Sequence, residues 1–302
     1  MRPLGVGEVI DVSINLFTRN LRALLAIAAA VVVPVTLIIF GLDLIALQEA
    51  GRNSANAALY EIGDELRVLD EQRYVTVTII QAIITILAYL VVTGAAFRGV
   101  SEAYLGRTPD VGASVRYAGR RAHSLLWLGI LMMVGIGIGF VLLVIPGIWL
   151  LVAWAVAVPA LMVEGARGTK AIGRSFGLTR QHWWRTLGAL LVGFIFIALI
   201  EFLLGLAAAA FDGVATDSVY LWAAFLDALN AVSVIITAPL QAAIITVIYF
   251  DLRVRKEGFD VEVLARQLDD PTATPAPPGG GTPAQPSESQ PQPPSSPPAA
   301  GA

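Results

Sequence analysis

The chain has 302 residues, 56% of them hydrophobic and only 14% charged, with a formal net charge of -3. Soluble domains run at roughly 45–50% apolar and 25% charged, so a water-soluble fold is excluded, and no global basicity points to nucleic acid. Cysteine is absent, which excludes disulfides, thiolate catalysis and cysteine-ligated metals.

Six apolar runs follow one another, at about 21–47, 75–97, 125–144, 148–165, 187–211 and 222–250. Each is near the ~20 residues that cross about 30 Å of hydrocarbon. The fold expected is all-α: a polytopic membrane bundle of six transmembrane helices over residues 1–268, followed by a tail at 269–302. The first run is too long for a signal-peptide core and reads as a retained helix.

Charge sets the expected orientation. Segments 1–22, 98–124, 164–186 and 251–270 hold 17 of the 20 basic residues, whereas 48–74 pairs three arginines with six acids. The positive-inside rule places the four basic segments in the cytoplasm, with both termini inside and the acidic segment outside. A short helix is expected in that outer segment, within ALYEIGDELRVLDEQRY.

Residues 125–163 carry no charge at all. One helix of that length would be about 58 Å long, nearly twice the hydrocarbon thickness, and both flanks are basic. The expectation is a tight hairpin turning at Pro146 and Gly147, with Trp149 at the outer interface. The alternative is a re-entrant pair that dips in and returns without crossing.

A weak repeat leads helices one, three and five: SINLFTRNLRALL from Ser13, SVRYAGRRAHSLLWL from Ser114, SFGLTRQHWWRTLGALL from Ser175. In the first, Glu8, Asp11, Asn15, Thr18 and Arg22 line one helical face and Ile10, Ile14, Phe17 and Leu21 another. In the third, Lys170, Arg174, Gln181 and Arg185 oppose Ile172, Phe176, Thr179 and Trp183. Such amphipathic helices lie in the headgroup layer. The bundle therefore reads as three hairpins, each led by an interfacial helix. Arg19, Arg120, Arg121, Lys170, Arg174, Arg180 and Arg185 form a basic face toward the bilayer's anionic headgroups.

RPLGVGEVIDVSINLFTRN, LVIPGIWLLVAWAVAVPALMVEG, RSFGLTRQHWWRTLG and YFDLRVRKEGFDVE together resemble a bacterial family named for the membrane domain of glycerophosphoryl diester phosphodiesterase. The likeness covers about residues 1–268. It implies a bacterial inner-membrane protein. Some members carry a fused catalytic barrel; the roughly 50 residues after position 250 are too few for one of about 250, so the enzymatic activity is not carried over.

Ionisable groups within the bilayer are the natural functional candidates. Glu201, 14 residues into helix five, is the deepest acid. Gln81 has a similar depth in helix two, and Asp227, Asn230 and Gln241 share a face of helix six. Two chemistries suit them: a polar path or ion site, or a protonated acid hydrogen-bonded between helices. His123 and His182 lack a third ligand for a metal, and no catalytic constellation, cofactor or metal site is expected. Residues 271–302 hold 11 of the 17 prolines and one charge, Glu288, a composition of disorder; PQPPSSPP offers a polyproline ligand for a partner protein. Two functions are expected from this reading: a non-enzymatic membrane accessory or scaffold, or a transporter of small solutes, lipid or ions around Glu201.

Overall fold

The computed structural model describes residues 4–57, 64–166, 168–212 and 219–257. The tail, its polyproline stretch, Arg2, Arg167 and Arg266 lie outside the described residues. Nine helices are seen among them: α1 Val6–Arg19, α2 Leu21–Ala57, α3 Asp64–Tyr104, α4 Val111–Leu142, α5 Val144–Trp154, α6 Ala157–Glu164, α7 Thr169–Thr179, α8 Trp183–Asp212 and α9 Val219–Glu257. Six stretches are long and apolar enough to cross a membrane, within α2, α3, α4, α5–α6, α8 and α9. Of the short helix expected in the outer segment, 58–63 lies outside the described residues, and 64–74 forms the opening turns of α3.

Two of the three expected leaders are separate helices, α1 and α7; the second is the opening of α4, continuous with its spanning stretch, and the third stripe is interrupted at residues 180–182, where α7 ends before Arg185 joins α8. Glu8 caps α1 by accepting from the Gly5 amide at 2.6 Å, and Asp110 caps α4 by accepting from Ala113, as short acidic side chains do at helix starts. Ile10 and Phe17 of α1 are buried while Asp11, Asn15 and Thr18 face out, as the two stripes predict. The three serines that open the repeat, Ser13, Ser114 and Ser175, are all fully buried. Their small side chains let each leader helix press against the bundle. Ser13 donates back to Val9 O at 2.6 Å, whereas Ser175 donates across to Ala153 O of α5 at 2.9 Å.

α9 is the hub. Its last turns bury Tyr249 and Phe250 completely, and Phe250 stacks flat on Tyr104 of α3, centroids 4.4 Å apart. The end of the bundle that holds α1, α7 and the last turns of α9 is dense in ion pairs, and we call it the ion-paired face. Glycines set the closest crossings. A Cβ at Gly94 of α3 would stand 2.7 Å from Leu125, 3.0 Å from Met162 and 3.1 Å from Ala118, so only glycine admits α4 and α6 there.

The 125–163 run reverses at Leu143, whose extended φ of -167° separates α4 from α5. This corrects the expected turn at Pro146 and Gly147. Both sit inside the first turn of α5, where the missing proline N–H costs nothing. Gly147 serves packing instead: its N and Cα approach Gly139 so closely that a Cβ there would be 3.0 Å away.

Trp149 packs against the start of α8: its carbonyl accepts from Trp183 Nε1, at the first residue of α8, at 3.3 Å. Val144 is five residues, about 8 Å, further along α5. Glu201, by comparison, is 18 residues or about 27 Å beyond Trp183 along α8. The hairpin turn thus packs nearer the ion-paired face than the Glu201 layer does. Its residues Val141 to Ile145 are all strongly exposed and apolar.

Candidate functional site

Two carboxylate centres organise the ion-paired face. In the first, Arg174 of α7 forks between Glu164, at the end of α6, and Glu257, at the end of α9. Its Nε lies 2.7 Å from Glu164 Oε2 and its Nη2 2.7 Å from Glu257 Oε2. Tyr249 donates to Glu164 Oε1 at 2.6 Å, and Arg253 reaches Glu257 at 3.1 Å. Hydrogen bonding to Glu257, then to Glu164, drives the Arg174 pKa further above its usual value, so this guanidinium is permanently charged.

In the second, Asp251 of α9 is 4% exposed and accepts from three donors. The Leu4 amide binds Oδ1 at 2.8 Å, while Arg255 and Arg185 bind Oδ2 at 3.0 and 3.2 Å. Arg255 also donates to Leu4 O at 2.9 Å. One buried carboxylate therefore joins the N-terminal segment, α8 and α9. Neither Asp251, Glu164 nor Glu257 was singled out by sequence. The signal available was YFDLRVRKE itself, where Asp251 and Arg255 are one helical turn apart.

The basic residues chosen from sequence divide accordingly. Arg174 and Arg185 are consumed by these centres. Arg121 donates to Leu161 O at 3.1 Å and stacks on Tyr117 at 4.8 Å, opposite Arg98 at 4.8 Å on the same ring. Arg19, Arg120, Lys170 and Arg180 are exposed and make no ion pair among the described residues.

Of the intramembrane candidates, Gln81 and Asp227 come together around Asp43, while Glu201 and Gln241 lie elsewhere. Glu201 accepts from Ser233 Oγ of α9 at 2.6 Å, and Gln81 donates to Asp43 Oδ1 of α2 at 2.7 Å. Asp227 lies within electrostatic range of Asp43, its Oδ2 buried without a hydrogen bond. Asn230 is exposed. Gln241 stands apart from the others and lines a cavity of about 560 Å³ among α3, α4, α5–α6, α8 and α9. His123 bonds its neighbour Ser124 and His182 Nδ1 is buried without a partner; no cluster of three metal-ligating groups occurs among the described residues.

Six apolar helices and this division of charge define the class, an integral membrane protein of polytopic α-helical type. No protein-family model, curated protein or solved structure matches the chain.

Proposed function

We propose that this protein is a non-enzymatic scaffold of a bacterial plasma membrane, with both termini in the cytoplasm and the ion-paired face toward the anionic headgroups. The observation that carries the reading is the division of the basic residues. One set is spent on Glu164, Glu257 and Asp251, which fixes α6, α7, α8 and α9 to one another. The other set, Arg19 of α1, Arg120 of α4, Lys170 of α7 and Arg180 just after it, is exposed and makes no ion pair among the described residues. Exposed cations near a bilayer each gain about 1 kcal/mol from anionic lipid.

A transporter reading has less support. Glu201, Gln81 and Asn230 would have to face one water-accessible path, yet Glu201 is tied to Ser233 and Gln81 to Asp43. The resemblance to the phosphodiesterase membrane-domain family is consistent with the scaffold, since it concerns the membrane part and not the barrel.

The test is thermal unfolding of the purified protein in nanodiscs of phosphatidylcholine with and without phosphatidylglycerol. Anionic lipid should raise the midpoint of the parent protein. The gain should vanish in a variant with Arg19, Arg120, Lys170 and Arg180 all changed to Gln. An equal gain in that variant would refute the headgroup reading.

A further inference from the structure

We propose that the cavity beside Gln241 is a binding site for one ester-linked acyl chain of a membrane phospholipid, entering sideways between the α4–α5 hairpin and α8. At about 560 Å³ it is within the size range of ligand pockets. Its wall comes from five spanning stretches, and nearly every lining group is apolar, including Phe97, Leu125, Met132, Leu151 and Ile197. Phe194 of α8 also lines it yet is 67% exposed, so the wall is open to the surroundings of the bundle. At this depth those surroundings are lipid, not water.

Gln241 gives the site its polarity. Its carboxamide lies on the wall, exposed, with no hydrogen-bond partner. An amide left unsatisfied in hydrocarbon costs several kcal/mol in general, so a pure hydrocarbon occupant is not the complement of this wall. A chain ending in a carbonyl is: the amide NH₂ donates and the ester oxygen accepts.

The depth of Gln241 agrees with an ester. α3 and α9 both run toward the ion-paired face, and Tyr104 stacks on Phe250. Counting back nine residues along each sets Gln241 level with Ala95, less than one turn deeper than Arg98. Arg98, ion-paired with Glu102 at 2.7 Å, and Arg121 clasp Tyr117 at that level, beside the lining residues Phe97 and Leu125. A layer of polar and basic groups with a donor one turn beneath it matches the order of headgroup and then ester in a phospholipid.

Gly129 provides the decisive variant. It lines the cavity, and a Cβ there would meet nothing within 4 Å, so Gly129→Leu starts a side chain at the cavity wall without its Cβ crowding a helix crossing. The probe is phosphatidylglycerol carrying a photoactivatable diazirine on one acyl chain, in nanodiscs, with crosslinked residues mapped by peptide mass spectrometry. Labelling should concentrate on Met132, Phe194 and Ile197 and saturate with unlabelled lipid. It should fall at least five-fold in Gly129→Leu and in Gln241→Leu, both with a parent-like thermal midpoint. Labelling spread evenly over the outer side of α8, at Leu199, Phe202 and Leu203, and unchanged in both variants would overturn the proposal. So would protection of the cavity residues by crosslinks to a second copy of the chain. Should Gly129→Leu fail to fold, Gln241→Leu decides alone, because it removes the amide with little change in size.

Discussion

Arg174 of α7 and Glu257 of α9 meet in a forked ion pair, Nη2 to Oε2 at 2.7 Å, and Glu164 occupies the other edge of the same guanidinium. A single side chain from the middle of α7 thus fastens the ends of α6 and α9. Arg174→Ala leaves two neighbouring carboxylates facing each other. The pairs are partly exposed, which screens them, so the expected loss is about 1–2 kcal/mol, read as a lower thermal midpoint in detergent. Arg174→Lys should recover less than half of it, because an ammonium cannot fork between two carboxylates. Arg120→Ala, at an exposed site, should leave the midpoint unchanged.

A larger effect is expected at Asp251. Removing its charge strands Arg185 and Arg255 around a buried site and releases the Leu4 amide. Breaking one partner of a buried charge network costs about 3–5 kcal/mol. Asp251→Ala should therefore unfold in mild detergent where the parent is intact. Asp251→Asn should fold but show faster amide exchange across residues 4–10, since the carboxamide keeps the acceptor for Leu4 and loses the attraction for the arginines.

Glycine substitutions should separate packing from empty space. Gly94→Ala crowds Leu125, Met162 and Ala118 at once, and overpacking of this kind costs about 1–3 kcal/mol. Gly129→Ala meets nothing within 4 Å and should be neutral or slightly stabilising through helix propensity. Thermal midpoints of the two variants, measured side by side, check the contrast.

The hairpin turn yields a topological prediction, and the absence of native cysteine makes the background clean. With Trp149 bonded to the start of α8, a cysteine at Ile145 lies about 6 Å of helix beyond that contact. It should resist a membrane-impermeant thiol reagent added from the side of segment 48–74, while a cysteine replacing Arg52 reacts. Reaction at both would show that the turn emerges on that side.

Much of this was legible in the sequence. Charge-free runs measured against hydrocarbon thickness sufficed for the six apolar helices, because a helix in lipid must satisfy its own backbone and its length follows from residue count. The stripes of α1 were equally plain, since 3.6-residue periodicity sorts Ile10 and Phe17 from Asp11 and Asn15 without reference to any neighbour. The serine repeat marked positions that are indeed buried.

What the sequence could not disclose was pairing between distant segments. Pro146 and Gly147 looked like a turn because either residue permits one, yet the reversal falls at Leu143, where the approach of Gly139 to Gly147 brings α4 and α5 together. Glu201 and Gln81 looked like one polar region because they share a depth, but different helices hold them, one against Ser233 and the other against Asp43. Arg174, Lys170 and Arg180 were equivalent as basic residues of one segment; only the arrival of Glu164 and Glu257 from other helices made the first structural and left the others free. Local periodicity and length are properties of a segment alone, so the chain by itself determined the helices and their amphipathic faces. Which charges are neutralised, and where a cavity opens, depend on contacts between different helices, up to 83 residues apart for Arg174 and Glu257, and those only the tertiary structure decided.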